Sequence, residues 1–245
     1  MFSQRDQRMN RRSLGGQPQA SPLTIFGSST RLWLRADLGI TIATGVSQWN
    51  DQSGNNFHAT QGTGSAQPTV TPNWKNGRPA LTFSAAASQL MNGTAASLIT
   101  GDWALLIVGS KVNDPDSVNY NDKWFRFNGT QGHTPQTIFT GGIKYVCTTT
   151  VDCTTPGPFG IGTSPAYISW TCVDGAIPQV RCNGVALSTA TSRPATSGIT
   201  GYQIGGANLS FFDGSIGEIV ALNAVPSAAQ LAAWESYVKK FWGFP

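Results

Sequence analysis

Charge is what this 245-residue sequence has least of. Asp, Glu, Lys and Arg make up only 11% of it, against about 25% in an ordinary soluble domain. Its surface must therefore be built from Ser, Thr, Asn, Gln and Gly, a composition shared by secreted modules and by parts of durable assemblies. Glutamate is rarer still, present only as Glu218 and Glu235. Histidine occurs twice, as His58 and His133, neither in a recognisable nucleophile motif. The four cysteines, Cys147, Cys153, Cys172 and Cys182, form no C-x-x-C pair, so neither spacing nor histidine supply favours a zinc site. Cys172 and Cys182 would face one another in a hairpin centred near Ile177, as a cross-strand disulfide or as a reduced apolar pair. Long apolar runs are also missing. Trp103–Val108 is the longest, far short of the ~20 residues that span a bilayer. No apolar stretch follows the basic residues near the start, as a secretory signal requires. The chain is expected to be soluble and made in a cytoplasm. Gly62-Thr63-Gly64 and Gly160-Ile161-Gly162 lack the flanking order and the lysine of a phosphate loop.

What charge there is lies unevenly. The formal net charge is +4. Arg5, Arg8, Arg11 and Arg12 against Asp6 give the first twelve residues +3, which leaves +1 for all the rest. A body so near neutrality has no surface suited to duplex nucleic acid, whose binding depends on neutralising many phosphates. Residues 1–30 read as a docking arm rich in Gln, Arg and Ser, too polar to fold alone. The arginines recur at spacings that would line one face of a helix formed on binding. They suit bidentate contact with acidic neighbouring subunits better than they suit nucleic acid.

Beyond the arm, residues 31–245 read as one all-β domain. Strands are expected at Pro79–Phe83, Trp103–Val112, Lys123–Phe127, Thr137–Phe139, Ile143–Cys147, Tyr167–Val173, Gln179–Cys182, Tyr202–Ile204 and Ser215–Leu222. Each run is short, rich in β-branched or aromatic residues, and bounded by turn formers. Asn128-Gly129 and Asn183-Gly184 read as tight turns. One helix is expected, over 227–242. Ser227 and Gln230 form a capping box there, and Gly243 gives a left-handed stop. Leu231, Trp234, Val238 and Phe241 recur at helical spacing and should pack onto the domain.

Several segments, taken in order, carry a family likeness. They are Leu32-Trp33-Leu34, Trp49-Asn50-Asp51-Gln52-Ser53-Gly54 with His58-Ala59-Thr60, and Arg78-Pro79-Ala80-Leu81-Thr82-Phe83. Asp174-Gly175 leading to Asn183-Gly184-Val185, then Phe212-Asp213-Gly214 with Gly217-Glu218-Ile219, and the Tyr237…Trp242-Gly243 end complete the set. Over about residues 30–244 the chain resembles the concanavalin A-like lectin/glucanase superfamily, in its laminin-G-like branch. The resemblance implies a two-sheet antiparallel jelly-roll β-sandwich, here with a C-terminal capping helix and an extended N-terminal arm. Domains of this branch often occur in bacteriophage virion proteins and bacterial surface proteins.

Three chemistries follow from that family and from the residues. A glycosidase needs two carboxylates flanking the scissile bond. Glu218 has no acidic partner two or four residues away, Glu235 lies on the closing helix, and so no catalytic residue is assigned. Glu218 is expected to hydrogen-bond backbone within its sheet, and His58 to hold a loop. Calcium could use Asp51, Ser53 and Asn55 as alternating oxygen ligands, although one carboxylate is few for a hard cation. A sugar could stack on Trp124, out of phase with Phe125 and Phe127, with Asn121 and Asp122 beside it; the competing reading buries Trp124 in the core.

The expectation is therefore a non-enzymatic virion structural protein, needing no cofactor and found on a particle assembled in a host cytoplasm. A capsid decoration, a head fibre or a tail or neck appendage would each fit, held in many copies to other virion proteins through Arg5, Arg8, Arg11 and Arg12. The alternative is a lectin-like module for host-surface glycans, and a glycoside hydrolase is a minor third. Membrane and direct nucleic-acid partners are not expected.

Overall fold

In a computed structural model, the described residues are 20–111, 122–129, 133–137, 143–147, 152–154, 164–176, 178–187, 199–207 and 210–245. Arg5, Arg8, Arg11, Arg12 and Asn121 lie outside them. The chain begins with a short helix α1 (Pro22–Phe26) and then β1 (Thr30–Arg35), β2 (Ile40–Ile42), β3 (Val46–Trp49), β4 (Ala59–Thr60), β5 (Thr69–Lys75), β6 (Arg78–Phe83) and β7 (Met91–Thr94). There follow β8 (Trp103–Lys111), β9 (Asp122–Lys123), β10 (Phe125–Gly129), β11 (His133–Thr137), β12 (Ile143–Cys147), β13 (Asp152–Thr154) and β14 (Ala166–Cys172). The last strands are β15 (Gln179–Cys182), β16 (Val185–Leu187), β17 (Ile199–Ile204), β18 (Gly206–Ala207), β19 (Ser210–Phe211) and β20 (Gly214–Leu222), before helix α2 (Ala228–Trp242).

The strands form a two-sheet antiparallel β-sandwich. The first sheet runs β16-β15-β14-β8-β20-β6-β5, with β1 also paired to β20. The second runs β13-β12-β11-β10-β17-β7-β4-β3-β2, with β9 on β11, and β18–β19 make a small ribbon. At the centre of each sheet the neighbours are distant in sequence, β14-β8-β20-β6 in the first and β10-β17-β7-β4 in the second, as a jelly roll requires. The inner faces share one apolar core that includes Leu34, Trp49, Phe83, Leu105, Trp124, Phe125, Phe127, Trp170, Tyr202 and Ile219.

The two sheets are treated differently on their outer faces. Strands β8 and β20 are buried at every position. Their outward side chains Ala104, Leu106, Val108, Val220 and Leu222 lie under Trp234, Tyr237, Val238, Phe241 and Trp242 of α2. A 15-residue helix is marginal alone, so this apolar docking is what holds α2. Its ends are as the sequence indicates: Ser227 and Gln230 close a capping box, and Gly243 sits at φ 68°, ψ 42°. No helix among the described residues is long and apolar enough to cross a membrane.

Three details depart from the sequence reading, and a fourth lies beyond it. Residues 22–26, assigned there to the arm, form a capped helix whose Phe26 packs with α2, and Gln230 Nε2 donates to Ile25 O at 3.2 Å. Asn128-Gly129 is the bulged end of β10 and makes no turn, whereas Asn183-Gly184 is the expected two-residue turn, with φ 49° and 81°. Ile168 pairs with Cys182, which centres that hairpin on Gly175 rather than Ile177, and Cys172 stands opposite Trp103. A Cys172–Cys182 cross-strand pair is thereby out of register, and both are buried thiols. Finally, β20 changes partner midway, from β6 at Ile216 to β1 from Glu218 onward. Gly217 marks the change, because a Cβ there would lie 2.7 Å from Trp242 and 3.0 Å from Trp74.

Candidate functional site

The second sheet has no helix on its outer side among the described residues, and strand alternation sorts its residues cleanly. One cross-strand row, Phe127-Tyr202-Gly93-Ala59-Trp49-Ile40, points into the core. One position along each strand, the neighbouring row is Arg126-Gln203-Asn92-Thr60-Gln48-Thr41. Asn92, Thr60 and Thr41 are exposed, and Arg126, Gln203 and Gln48 are half-buried. Six strands at their usual spacing carry this row over roughly 24 Å.

The row is held in place by its own bonds. Gln203 Nε2 donates to Asn92 Oδ1 at 3.0 Å, Thr60 Oγ1 donates to the Asn92 carbonyl at 3.4 Å, and Gln48 Nε2 donates to Asn50 Oδ1 at 2.5 Å. Each amide thus spends one group on a neighbour and presents another outward. The result is a neutral strip of donors and acceptors with a single cation at one end. Beneath it, Tyr202 fixes the geometry: its ring lies over Gly93, where a Cβ would come within 2.1 Å, and its hydroxyl donates to the Phe57 carbonyl. Sequence reasoning missed this row because β7, β4 and β2 are only two to four residues long, too short for an alternation to stand out. The available signal was the short alternation Met91-Asn92-Gly93-Thr94, with Gly93 inside it.

The residues singled out in the sequence fall elsewhere. Trp124 is not a surface platform. It is fully buried, its ring 4.6 Å from that of Phe212, and a Cβ on Gly109 would lie 2.4 Å from it. A bend between β9 and β10 interrupts the alternation, so Trp124 turns inward along with Phe125 and Phe127. Asp122 lies on β9 and His133 on β11, their side chains outside the described residues.

Asp51, Ser53 and Asn55 do come together, as a hydrogen-bonded turn. Asp51 Oδ1 accepts from the backbone N–H of Trp33 at 2.9 Å and of Ser53 at 2.8 Å. Its Oδ2 accepts from Ser53 Oγ at 2.7 Å and the Phe57 N–H at 3.1 Å. Asn55 Nδ2 donates to the Thr30 and Arg31 carbonyls and to Ser53 Oγ. Four donors occupy the carboxylate and the asparagine presents its amide N–H groups to the cluster, so the weak calcium candidate of the sequence is a set of atoms that pin the loop to β1. His58 holds the same loop, its Nδ1 accepting from the Asp51 N–H at 3.0 Å.

Glu218 is also embedded, but with partners the sequence did not indicate. At 1% exposure it accepts from Trp33 Nε1 at 2.7 Å, Tyr237 Oη at 2.9 Å and Trp242 Nε1 at 2.8 Å. These are aromatic side chains, where backbone was expected. The cause is α2, which roofs the outer face of β20. Burial pushes the Glu218 carboxyl above its usual range, and the three aromatic donors with Arg35 oppose that rise. Glu235 binds Arg181 Nε at 2.8 Å from the flank of α2. Neither glutamate stands in the polar row.

Comparison with known proteins adds fold neighbours only. No protein-family model matches the sequence, and no curated protein does. The binding domain of Paraclostridial Mosquitocidal Protein 1 is similar in structure, with a TM-score of 0.65 at 11% identity over 89% of this chain. Trypanosoma rangeli sialidase in complex with sialic acid gives 0.60 at 11% over 87%. This chain spans 55% of the first and 33% of the second. Domain 4 of AbnA, an extracellular arabinanase from Geobacillus stearothermophilus, in complex with arabinotriose, gives 0.56 at 14% identity, covering 83% of this chain and 96% of that domain. At these identities the likeness is one of fold, a β-sandwich.

Proposed function

We propose that the chain is a carbohydrate-binding module that holds a neutral, hydroxyl-rich glycan along the outer row of the second sheet. The observation that carries this reading is the unbroken line Arg126-Gln203-Asn92-Thr60-Gln48-Thr41 across six strands. Amides and hydroxyls match sugar hydroxyls as both donors and acceptors. The fold neighbours lend support, since one is a single domain of nearly the same extent in complex with arabinotriose. The reading is of binding without hydrolysis, because Glu218 is sealed under α2 and Glu235 is held by Arg181. The virion component docked through residues 1–30, the main expectation from the sequence, draws no support from these neighbours, so the lectin-like alternative takes precedence.

The aromatic side chains described in this sheet, Trp49, Phe125, Phe127 and Tyr202, face inward, so binding relies on hydrogen bonds of about 1 kcal/mol each. Four such bonds correspond to roughly millimolar affinity, which avidity would have to raise. A panel of immobilised neutral polysaccharides tests the proposal. Retention of the native chain, lost in an Asn92→Ala/Gln203→Ala double variant with unchanged melting temperature, is the expected result. Equal retention of both, or of neither, would overturn it.

A further inference from the structure

A second site lies on the other side of the sandwich, at the foot of α2. A cavity of about 350 Å³ opens there between Lys75 at the end of β5, Ser164 and Tyr167 at the start of β14, Asn183 in the β15–β16 turn, and Phe244 beyond α2. Its size falls at the lower end of small-molecule pockets. Pro165 and Pro245 complete the lining.

Three features give it a chemistry. First, its polar side chains can all donate and no Asp or Glu lines it; the terminal carboxylate of Pro245, the last residue of the sequence, belongs to the lining but makes no ion pair with Lys75 among the described residues. Second, the Lys75 ammonium is held 4.3 Å from the centre of the Phe244 ring and makes no ion pair among the described residues. Ring attraction places the charge without neutralising it. Third, Tyr167 is only 2% exposed, yet its hydroxyl has no hydrogen-bond partner among the described residues, a state that costs about 1–3 kcal/mol. Asn183 Oδ1 accepts from the Tyr167 N–H at 3.1 Å, which leaves the asparagine Nδ2 donors uncommitted. Glu235, whose carboxylate lies near Gly184 of the β15–β16 turn, is bound by Arg181 at 2.8 and 3.4 Å.

We propose that this cavity binds a small acidic sugar of the hexuronate class, its carboxylate beside Lys75 and Asn183 and its ring against Phe244. The site is independent of the row on the second sheet, and it takes an anion where that row takes a neutral chain.

The test is a titration of the full chain with glucuronate, followed by ¹⁵N NMR, with glucose as the uncharged control. Glucuronate should shift the Asn183 side-chain amide and the Phe244 amide, and glucose should not. Lys75→Met, which keeps the apolar stem, should weaken binding at least tenfold, whereas Lys240→Met on exposed helix surface should not. The Asn92→Ala/Gln203→Ala variant should bind glucuronate normally, so failure here and failure of the sheet-face reading are separable. Absence of shifts at millimolar glucuronate, equal shifts with glucose, or indifference to Lys75→Met would each overturn the proposal.

Discussion

Trp33 and Glu218 stand 185 residues apart in sequence, yet the indole Nε1 donates to the carboxylate Oε1 at 2.7 Å in the buried layer beneath α2. Tyr237 and Trp242 donate to the same carboxylate from the helix, so one glutamate ties β1, β20 and α2 together. Arg35 extends the tie, donating to Tyr237 Oη at 3.3 Å and to Asp37 at 2.6 Å. Removing the carboxylate strands several buried donors at once. Glu218→Ala should therefore destabilise the fold by about 3–5 kcal/mol in denaturant unfolding, and Glu218→Gln by less.

Glu218 also sets a pH dependence. Its folded-state pKa is raised, so over the interval between the ordinary carboxylate value and that raised value the folded chain binds more protons than the unfolded one. Stability should then fall as pH rises through that interval, opposite to the usual behaviour of a salt-bridged carboxylate. Stability profiles of the native chain and Glu218→Gln, measured from pH 4 upward, should differ by this slope. Parallel profiles would show that Glu218 titrates as it does in the unfolded chain.

Gly93 is the corresponding weak point of the second sheet. A Cβ there would stand 2.1 Å from the Tyr202 ring, which is fully buried and stacked 5.3 Å from Phe125. Gly93→Ala should cost about 2–3 kcal/mol through overpacking, and it should disturb the adjoining Asn92 and Thr94 amides by NMR. Tyr202→Phe removes only the hydroxyl bond to Phe57 and should cost about 1 kcal/mol. A neutral Gly93→Ala would mean that the ring can move aside.

These residues also show what could be read from the chain alone. The α2 caps, the Asn183-Gly184 turn and the apolar strands β8 and β20 announce themselves locally, through side chains that act within a few positions. Strand β12 was legible to the residue because Ile143–Cys147 is a compact β-prone run. The polar row was not legible, since it exists only once the register of six short strands is set. For Trp124 the sequence left a surface platform and a core position both open, and burial is what the structure shows, because the bend before Phe125 breaks the alternation that would have turned it outward. Glu218 was located correctly but its partners were not, because they come from Trp33, Tyr237 and Trp242, which only tertiary packing brings together.

The Asp51 turn separates a structural carboxylate from a metal ligand. With four donors on its two oxygens, Asp51 gains nothing further from a cation. The melting temperature should be unchanged by excess chelator or by added calcium. Asp51→Asn should lower it markedly, since the new amide sets N–H groups against N–H groups, a loss of about 2–3 kcal/mol. A calcium-dependent rise in melting temperature that disappears in Asp51→Asn would restore the metal reading.

Cys182 offers the last check, on the packing of the first sheet. It pairs with Ile168 on β14, is 5% exposed, and burial pushes its thiol up to about 12. Only the thiolate attacks disulfide reagents, so at pH 8 the native chain should present almost no reactive form at this position. Labelling followed by peptide mapping should find Cys182 protected in buffer and modified rapidly in denaturant. The rate in buffer should be lower than in denaturant by the fraction of molecules in which the sheet is open, because Cys182 becomes accessible only when β15 parts from β14. Rapid native labelling at Cys182 would mean that this hairpin opens on its own, with β14 and the α2 layer losing their outer support.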